Sequence, residues 1–206
     1  MPEVAAAEGL CRVAGTRAWG RHGMQLEFRA YADDYTVGGA TEFQGDRLAD
    51  FIDAVDELEV QGVTVRALED GRQHQLPTAT IARDELCMVV ATGPRGRPDL
   101  RLRTRAIPMR AEVGPYAVCG YFHVPPTSDP FAVVRHRRVV ALRPVKVAYS
   151  IGDERIEEEH ETLLLLGSKI EVFERSSDET LGLERALQLC MDRDRGIEGL
   201  PGTVSG

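Results

Sequence analysis

Lysine is nearly missing from this chain of 206 residues, in which only Lys146 and Lys169 stand among 25 basic residues. Arginine therefore supplies almost all of the positive charge, a bias that we attribute to high genomic GC content rather than to function. Acidic residues outnumber basic ones, and the formal net charge is −8. This excess disfavours nucleic acid and anionic membranes as partners, although a local basic face can override the average.

Long apolar runs and an N-terminal leader are also missing. The first residues carry acids at Glu3 and Glu8 and no basic segment before their short alanine run, which does not fit a secretory signal. No stretch approaches the roughly 20 apolar residues that a membrane-spanning helix needs. We therefore expect a cytoplasmic protein that makes no membrane contact.

Paired cysteines, grouped histidines and catalytic motifs are absent as well. The four cysteines lie far apart without a Cys-x-x-Cys pair, which favours reduced, buried thiols over disulfides or a zinc site. The five histidines show no metal spacing, and no Ser/His/Asp or Cys/His set can be assigned. The segment 93–96 lacks the Gly-Lys-Ser/Thr of a phosphate loop. The sequence thus predicts no catalytic residue, no metal and no cofactor, and it favours a protein that is not an enzyme.

What the chain does contain is a similarity between its two halves. Three landmarks recur in the same order, at offsets of 81 (120 − 39), 82 (145 − 63) and 76 (162 − 86) residues. The matched segments are Asp34-Tyr35-Thr36-Val37-Gly38-Gly39 with Pro115-Tyr116-Ala117-Val118-Cys119-Gly120, Val63-Thr64-Val65 with Val145-Lys146-Val147, and Leu86-Cys87-Met88-Val89-Val90 with Thr162-Leu163-Leu164-Leu165-Leu166. Two copies of one small β-rich unit explain this order most simply.

Residue patterning divides the chain into two β units and a helical end. Leu26, Phe28 and Ala30 alternate with polar residues, which is the period-two pattern of a half-buried strand, whereas the apolar spacing in 47–53 predicts a helical turn. In the second copy, we interpret Leu142-Arg143-Pro144 as a hairpin-like break. The predicted organisation is a lead-in at 1–23, a first β-barrel repeat at 24–93, a Gly/Pro-rich linker at 94–99, a second β-barrel repeat at 100–174, and a C-terminal helix and tail at 175–206.

The predicted C-terminal helix covers about residues 179–192. A cap cluster at 176–179 precedes it. Leu183, Leu187 and Cys190 follow at spacings of one helical turn, so they fall on one helix face. We expect this face to pack on a barrel.

The order of bent strands, short loop and closing apolar strand resembles an Sm-like or SH3-like small barrel over about residues 24–174. Its tandem form, with Tyr-x-Val-x-Gly and Leu48-Ala49-Asp50-Phe51, is similar to an uncharacterised bacterial family that carries such units. For Sm proteins, the resemblance implies an RNA pocket made by an asparagine-containing loop and an Arg-Gly pair. The matching loop here, 46–53, has carboxylates and no asparagine, and the matching ends, 91–93 and 166–167, lack the arginine. The resemblance therefore implies the barrel without a uridine-binding ring.

Seven arginines are candidate binding residues: Arg101, Arg103, Arg105, Arg110, Arg135, Arg137 and Arg138. The first three fall on one face of a predicted strand, and arginine forks bind carboxylate and phosphate bidentately. The same residues also fit a solvated strand face that discourages edge-to-edge pairing. The acidic segment 153–161 is their counterpart, and it fits pairing with these arginines, cation binding or a solvated hairpin tip.

These observations favour a binding or assembly module that acts through protein–protein contacts, with another protein or further copies of the chain as the partner. The alternative is a nucleic-acid or phosphate-ligand module that uses the arginine-rich strand, and an enzyme is the third hypothesis. Filter binding to RNA and DNA at two salt concentrations separates the first two, because phosphate contacts make affinity fall steeply with salt.

Overall fold

The structure is a computed structural model that describes residues 24–94 and 102–176. Within these residues the chain is mainly β, which confirms the predicted class, and eleven strands join in one antiparallel sheet. The first half contains β1 (Met24–Ala32), β2 (Tyr35–Phe43), α1 (Leu48–Ala54), β3 (Glu57–Ala67), β4 (Gln73–Ala82), the 3-10 turn η1 (Arg83–Glu85) and β5 (Leu86–Val90). The second half contains β6 (Arg105–Val113), β7 (Tyr116–Val124), α2 (Pro130–Arg135), β8 (Val139–Ile151), β9 (Glu154–His160), β10 (Leu163–Leu166), the 3-10 turn η2 (Gly167–Lys169) and β11 (Ile170–Arg175).

The strands follow the order β11-β6-β7-β8-β10-β5-β1-β2-β3-β4, and β9 pairs with β8 beside this path. In the first half β1 pairs with β2 and β5, and in the second half β6 pairs with β7 and β11. β3 pairs with β4 over nearly its whole length, whereas the longer β8 pairs with β10 at its start and with β9 at its end. The halves therefore share one pairing scheme in which β9 and β10 together take the place of β4.

Two glycines lie at corresponding irregularities of this scheme. The register of β2 against β3 shifts between Gly38 and Ala40, and that of β7 against β8 shifts between Gly120 and Phe122. A Cβ on Gly39 would lie 2.7 Å from a backbone oxygen of β3, and one on Gly120 would lie 2.7 Å from a backbone oxygen of β8. Only glycine allows the strands to approach this closely, which is how a sheet bends sharply at such a point.

Each half encloses its own apolar core, and the strands where the halves meet contribute to both cores. The core of the second half also contains Tyr31, Cys87 and Met88 from the first half. The core of the first half also contains Leu164 and Leu166 from β10. Because side chains on opposite faces of one strand point into different cores, β5 and β10 tie the halves together.

One of the three sequence matches is corrected by the pairing. The sequence comparison placed the apolar run of β5 and that of β10 at equivalent positions. In the sheet these two strands are neighbours that pair with each other, and β11 is the strand that pairs with β6 as β5 pairs with β1. Apart from the half-buried Val90, both strands are buried for the same physical reason, a central position in the sheet, and this shared burial produced the similarity.

The helices and turns agree with the sequence predictions in part. The helical turn predicted at 47–53 is α1, which buries Leu48 and Ile52. The helix α2 was not predicted, although it has a recognisable start, with Asp129 accepting from the amides of Phe131 and Ala132. The predicted break at Leu142-Arg143-Pro144 is wrong, because β8 runs through it with a cis Arg143-Pro144 bond. The predicted helix at about 179–192 lies outside the described residues.

Candidate assembly interface

The two halves meet through direct strand pairing between β5 and β10. Leu163 lies opposite Val90, Leu164 opposite Val89, and Leu165 opposite Met88. The pairing continues one residue further through a backbone hydrogen bond of 3.1 Å from the Ala91 amide to the Thr162 carbonyl. All four leucines of β10 are buried, and a fully buried leucine contributes about 2 kcal/mol through the hydrophobic effect. This junction is therefore an apolar seam reinforced by backbone hydrogen bonds.

Beside the seam, a carboxylate of the second half is held by side chains of both halves. Glu158 on β9 accepts hydrogen bonds from Arg29 Nη2 at 2.5 Å, the Tyr31 hydroxyl at 2.5 Å and the Tyr149 hydroxyl at 2.9 Å. His160 Nε2 lies 2.6 Å from the Tyr31 hydroxyl and 3.3 Å from Glu158. We call Arg29, Tyr31, Tyr149, Glu158 and His160 the junction cluster.

The junction cluster changes the acidity of its members. Burial alone would raise the pKa of Glu158, but hydrogen bonds from His160, Tyr31 and Tyr149 and the charge of Arg29 bring that pKa down to about 2. Burial, together with the hydrogen bond to Glu158, raises the pKa of Tyr31 and of Tyr149 far above the ordinary range. At neutral pH the cluster is therefore an ionised carboxylate surrounded by neutral phenols and a guanidinium.

Two further polar contacts join the halves. The buried Tyr116 hydroxyl donates to the Ala32 carbonyl at 2.6 Å. Lys169 Nζ lies 2.6 Å from a carboxylate oxygen of Asp33, whose other oxygen accepts from the Cys87 thiol at 3.1 Å. Burial and the neighbouring Asp33 carboxylate raise the pKa of Cys87, so this thiol stays protonated and unreactive.

The strand path ends at β11 on one side and at β4 on the other. Within the described residues, each of these strands pairs along one side only, with β6 and with β3 respectively. Apolar side chains on both strands are already turned inward: Ala79 and Ile81 are buried on β4, and Phe173 packs edge-on against Phe122 and Phe131. Among the described residues no strand pairs with the outer sides of β11 and β4, so these sides are candidates for pairing with another strand.

The end strand β11 is the counterpart of β5. Phe173 lies opposite Ala111 of β6, as Val89 lies opposite Ala30 of β1. Both pairings also skip one residue at the corresponding place, Glu171 in β11 and Cys87 in β5.

The C-terminal end of the other end strand, β4, likewise corresponds to the C-terminal end of β10. Ala82 of β4 is paired with Glu57, the first residue of the neighbouring strand β3. In the same way, Leu166 of β10 is paired with Val139, the first residue of the neighbouring strand β8. A 3-10 turn follows directly in both cases. The end strands β11 and β4 thus correspond to β5 and β10, the two strands that pair with each other in the junction.

The seven arginines predicted as binding residues do not form one cluster. Arg101 lies outside the described residues. Arg103 and Arg105 are exposed before and at the start of β6, and Arg105 Nη2 donates to the Ser128 carbonyl at 3.1 Å. Arg110 is buried and pairs with Glu112 and, at 2.5 Å, with Glu174 of β11. The last three, Arg135, Arg137 and Arg138, are exposed between α2 and β8.

The acidic segment 153–161 contains the whole of β9, and none of its ion pairs among the described residues involves a predicted arginine. Its described ion pairs are Glu158 with Arg29, Glu159 with Lys146, and Glu157 with Arg155. The importance of Glu158 was missed because the acidic run was interpreted as a hairpin tip. A signal was present: Ile156, Glu158 and His160 alternate with exposed residues, which is the pattern of a half-buried strand face.

No family model, curated protein or solved structure matches the chain. Among the described residues, no helix is long and apolar enough to cross a membrane. The same residues contain no group of three or more histidine, cysteine, aspartate or glutamate side chains arranged to hold a metal ion.

Proposed function

We propose that the chain is a tandem pair of small Sm-like or SH3-like β-barrel units and that it acts as a non-enzymatic assembly module through protein–protein contacts. The partner is a further copy of the chain, and the contact surfaces are the two end strands of the sheet. Copies join head to tail, with β11 of one chain against β4 of the next. The observation that carries this proposal is the junction of β5 and β10, in which strands of these two kinds already pair inside one chain.

The junction also specifies which residues meet between chains. When the register of β5 against β10 is transferred to the end strands β11 and β4, Thr80 of one chain lies opposite Phe173 of the next. The flanking pairs are Ala79 with Glu174 and Ile81 with Val172. The transfer equates β11 with β5, because β11 pairs with β6 as β5 pairs with β1. It equates β4 with β10, because β4 pairs with β3 as β10 pairs with β8.

The directions of the side chains support this register. In the junction, Leu165 faces the core of the second half while Val89 faces that of the first half. In the proposed contact, Ala79 and Ile81 face the core of the first half of one chain, and Phe173 packs on the core of the second half of the other. The alternation is the same, so apolar residues of both chains would extend existing cores rather than face solvent.

A contact between two different strands has a consequence for the type of assembly. Each chain contributes β11 to one neighbour and β4 to another, so the interface is heterologous. Such interfaces produce a ring where the rotation between copies closes, and a filament where it does not. Main-chain hydrogen bonds supply the affinity, as in other cases of strand addition.

The proposed register is tested by a disulfide between chains. The pair that follows Ala79 and Glu174 is Thr78 with Arg175, and both side chains are exposed in the single chain. Its counterpart inside the chain is the hydrogen-bonded pair Thr162 and Ala91. Residues paired in this way in antiparallel strands have Cα atoms about 5.5 Å apart, which suits a disulfide. One preparation carries Thr78→Cys and the other Arg175→Cys, and both carry serine in place of Cys11 and Cys190.

We expect a covalent heterodimer when the two preparations are mixed and mildly oxidised, and little dimer from either one alone. The matched control replaces Thr78→Cys by Gln75→Cys, an exposed β4 residue three positions away, which should cross-link poorly. Sizing of the unmodified chain by light scattering is measured in parallel. Assembly without selective cross-linking would overturn the register, and a monomer at all concentrations would overturn self-assembly.

A further inference from the structure

A cavity of about 240 Å³ lies on the sheet face of the first half, beneath the hairpin of β8 and β9 from the second half. Its floor is formed by β1, β2 and β3 with the start of β4, and its wall by Tyr149 and Glu158. The liquid volume of a water molecule is about 30 Å³, so the cavity has room for a small ligand together with some water.

The floor of this cavity presents hydrogen-bond donors in two neighbouring rows. Cross-strand pairing places Thr36 beside Arg66 and Arg66 beside Gln73. In the next row, Gly38 lies beside Thr64. Residues with hydroxyl, guanidinium and amide side chains on three strands therefore line one side of the cavity.

Arg66 leaves one of these donors unused. Among the described residues its buried Nε has no hydrogen-bond partner, a property that it shares with the Nε of Arg110. An unsatisfied buried donor costs about 1–3 kcal/mol, and more in a charged group, so native structures rarely leave one without a ligand or water. The group that completes Arg66 must be an acceptor, and an anion is the acceptor that a guanidinium fork binds best.

The acidic residues that line the cavity do not supply the acceptor that Arg66 requires. Glu158 is already engaged by Arg29, Tyr31 and Tyr149, so its negative charge is compensated inside the junction cluster. Glu27 is exposed to solvent. The charge of Arg66 remains to be balanced within the cavity.

Gly38 keeps the cavity open. A Cβ at this position would have no atom closer than the Phe28 carbonyl oxygen, at 3.9 Å. Gly38 is paired with Arg29 on β1 and with Thr64 on β3, which both line the cavity, so a side chain at 38 would enter the same space. The position thus tolerates a side chain sterically, and its absence leaves room for a ligand.

We propose that this cavity binds a small oxyanion, a carboxylate or a phosphate group, through Arg66 with Thr36, Thr64 and Gln73. The site lies within one chain, so it stands independently of the proposed assembly. The ligand would also bridge the floor of the first half to the wall formed by Tyr149 of the second half.

The test is an NMR titration of the full chain with inorganic phosphate and, separately, with acetate, at constant ionic strength adjusted with sodium chloride. The Arg66 Nε–Hε signal reports directly on the group expected to gain a partner, and the Gly38 amide reports on the cavity. We expect saturable shifts of both signals with at least one of the two probes. Which probe binds distinguishes a tetrahedral from a planar anion.

Two substitutions and one control decide the location. Gly38→Val should fill the cavity and weaken binding at least about tenfold, and Arg66→Gln should do the same while leaving the cavity open. Arg72→Gln is the control, because Arg72 is 80% exposed and pairs with Asp70 outside the cavity, so binding should be unchanged. Binding is followed at the Gly38 amide in Arg66→Gln and at the Arg66 Nε–Hε signal in Gly38→Val. Shifts that never saturate, or affinities that are unchanged in both cavity variants, would overturn the proposal.

Discussion

The hydroxyl of Tyr31 on β1 lies 2.5 Å from the carboxylate of Glu158 on β9, so the two halves share a charged hydrogen bond as well as an apolar seam. Tyr31 also packs edge-on against Tyr116, with the ring centroids 5.3 Å apart, and so belongs to the core of the second half while its backbone lies in the first. A residue in this position makes the folding of one half depend on the other. Changes at Glu158 should therefore affect the whole described sheet.

Replacing Glu158→Gln should lower the free energy of unfolding by an amount on the order of 2 kcal/mol at pH 7. Folding lowers the pKa of Glu158 from its usual 4.5 to about 2. A carboxylate with a lowered pKa contributes stability that is present above pH 4.5 and is lost as the pH falls toward 2. The urea midpoints of the two proteins should thus differ at pH 7 and converge near pH 2–3.

The control for this experiment is Glu157→Gln on the opposite, exposed face of β9, where the carboxylate pairs only with the solvated Arg155. Its effect on stability should be small at every pH, since exposed ion pairs contribute about 0–1 kcal/mol. A difference between wild type and Glu158→Gln that stayed constant from pH 7 to pH 2 would show that the charge of Glu158 does not hold the junction.

The two bend glycines should tolerate no side chain. Gly39→Ala would place a Cβ 2.6 Å from Val60 Cγ1 and 2.7 Å from a backbone oxygen, so the strands would have to move apart. We expect destabilisation of about 2 kcal/mol or more, and a similar loss for Gly120→Ala. Gly38→Ala is the matched control, since the space at that position is open, and thermal unfolding of the three variants compares them. Equal melting temperatures for Gly38→Ala and Gly39→Ala would contradict the close approach.

Removing the buried hydroxyl of Tyr116 should also weaken the junction. Tyr116→Phe leaves the Ala32 carbonyl without the hydrogen bond that it accepts at 2.6 Å, and the site is too buried for water to replace it freely. The expected cost is about 1–2 kcal/mol, measured by urea unfolding at neutral pH. Tyr121→Phe, at a half-buried position of the same strand, serves as the control. A stability loss no larger than that of the control would mean that the bond contributes nothing net.

Local patterning was enough to predict the mainly β class, the helical turn that became α1 and the importance of Gly39 and Gly120. Each of these depends on a short segment: alternation within a strand, apolar spacing over one helical turn, or glycine in an otherwise regular strand. The matched segments also placed β2 and β3 in the same order as β7 and β8.

Long-range pairing could not be predicted in the same way. The apolar run of β10 looks like that of β5 because both are buried on two faces, and no local pattern states that the two strands are neighbours. Glu158 illustrates the same limit, since its partners Arg29 and Tyr31 lie 129 and 127 residues away along the chain. The seven arginines drew attention by their density, whereas the buried, unpartnered Nε atoms of Arg66 and Arg110 depend on the fold and could not be predicted from the sequence.

The proposed contact between chains should be sensitive to a single charge at its centre. Thr80 is only half-buried in the single chain, so Thr80→Asp should leave the fold intact. In the assembly the new carboxylate would face Phe173 of the neighbouring chain, and an unpaired charge placed in an apolar seam is strongly unfavourable. Sedimentation velocity at several concentrations should show that Thr80→Asp remains monomeric where the wild type assembles. Gln75→Asp, on the same strand but beyond the paired residues, controls for the added charge and should assemble normally. If both variants assembled as the wild type does, the seam would not lie at Thr80, and a copy docked through β4 in this register would be excluded.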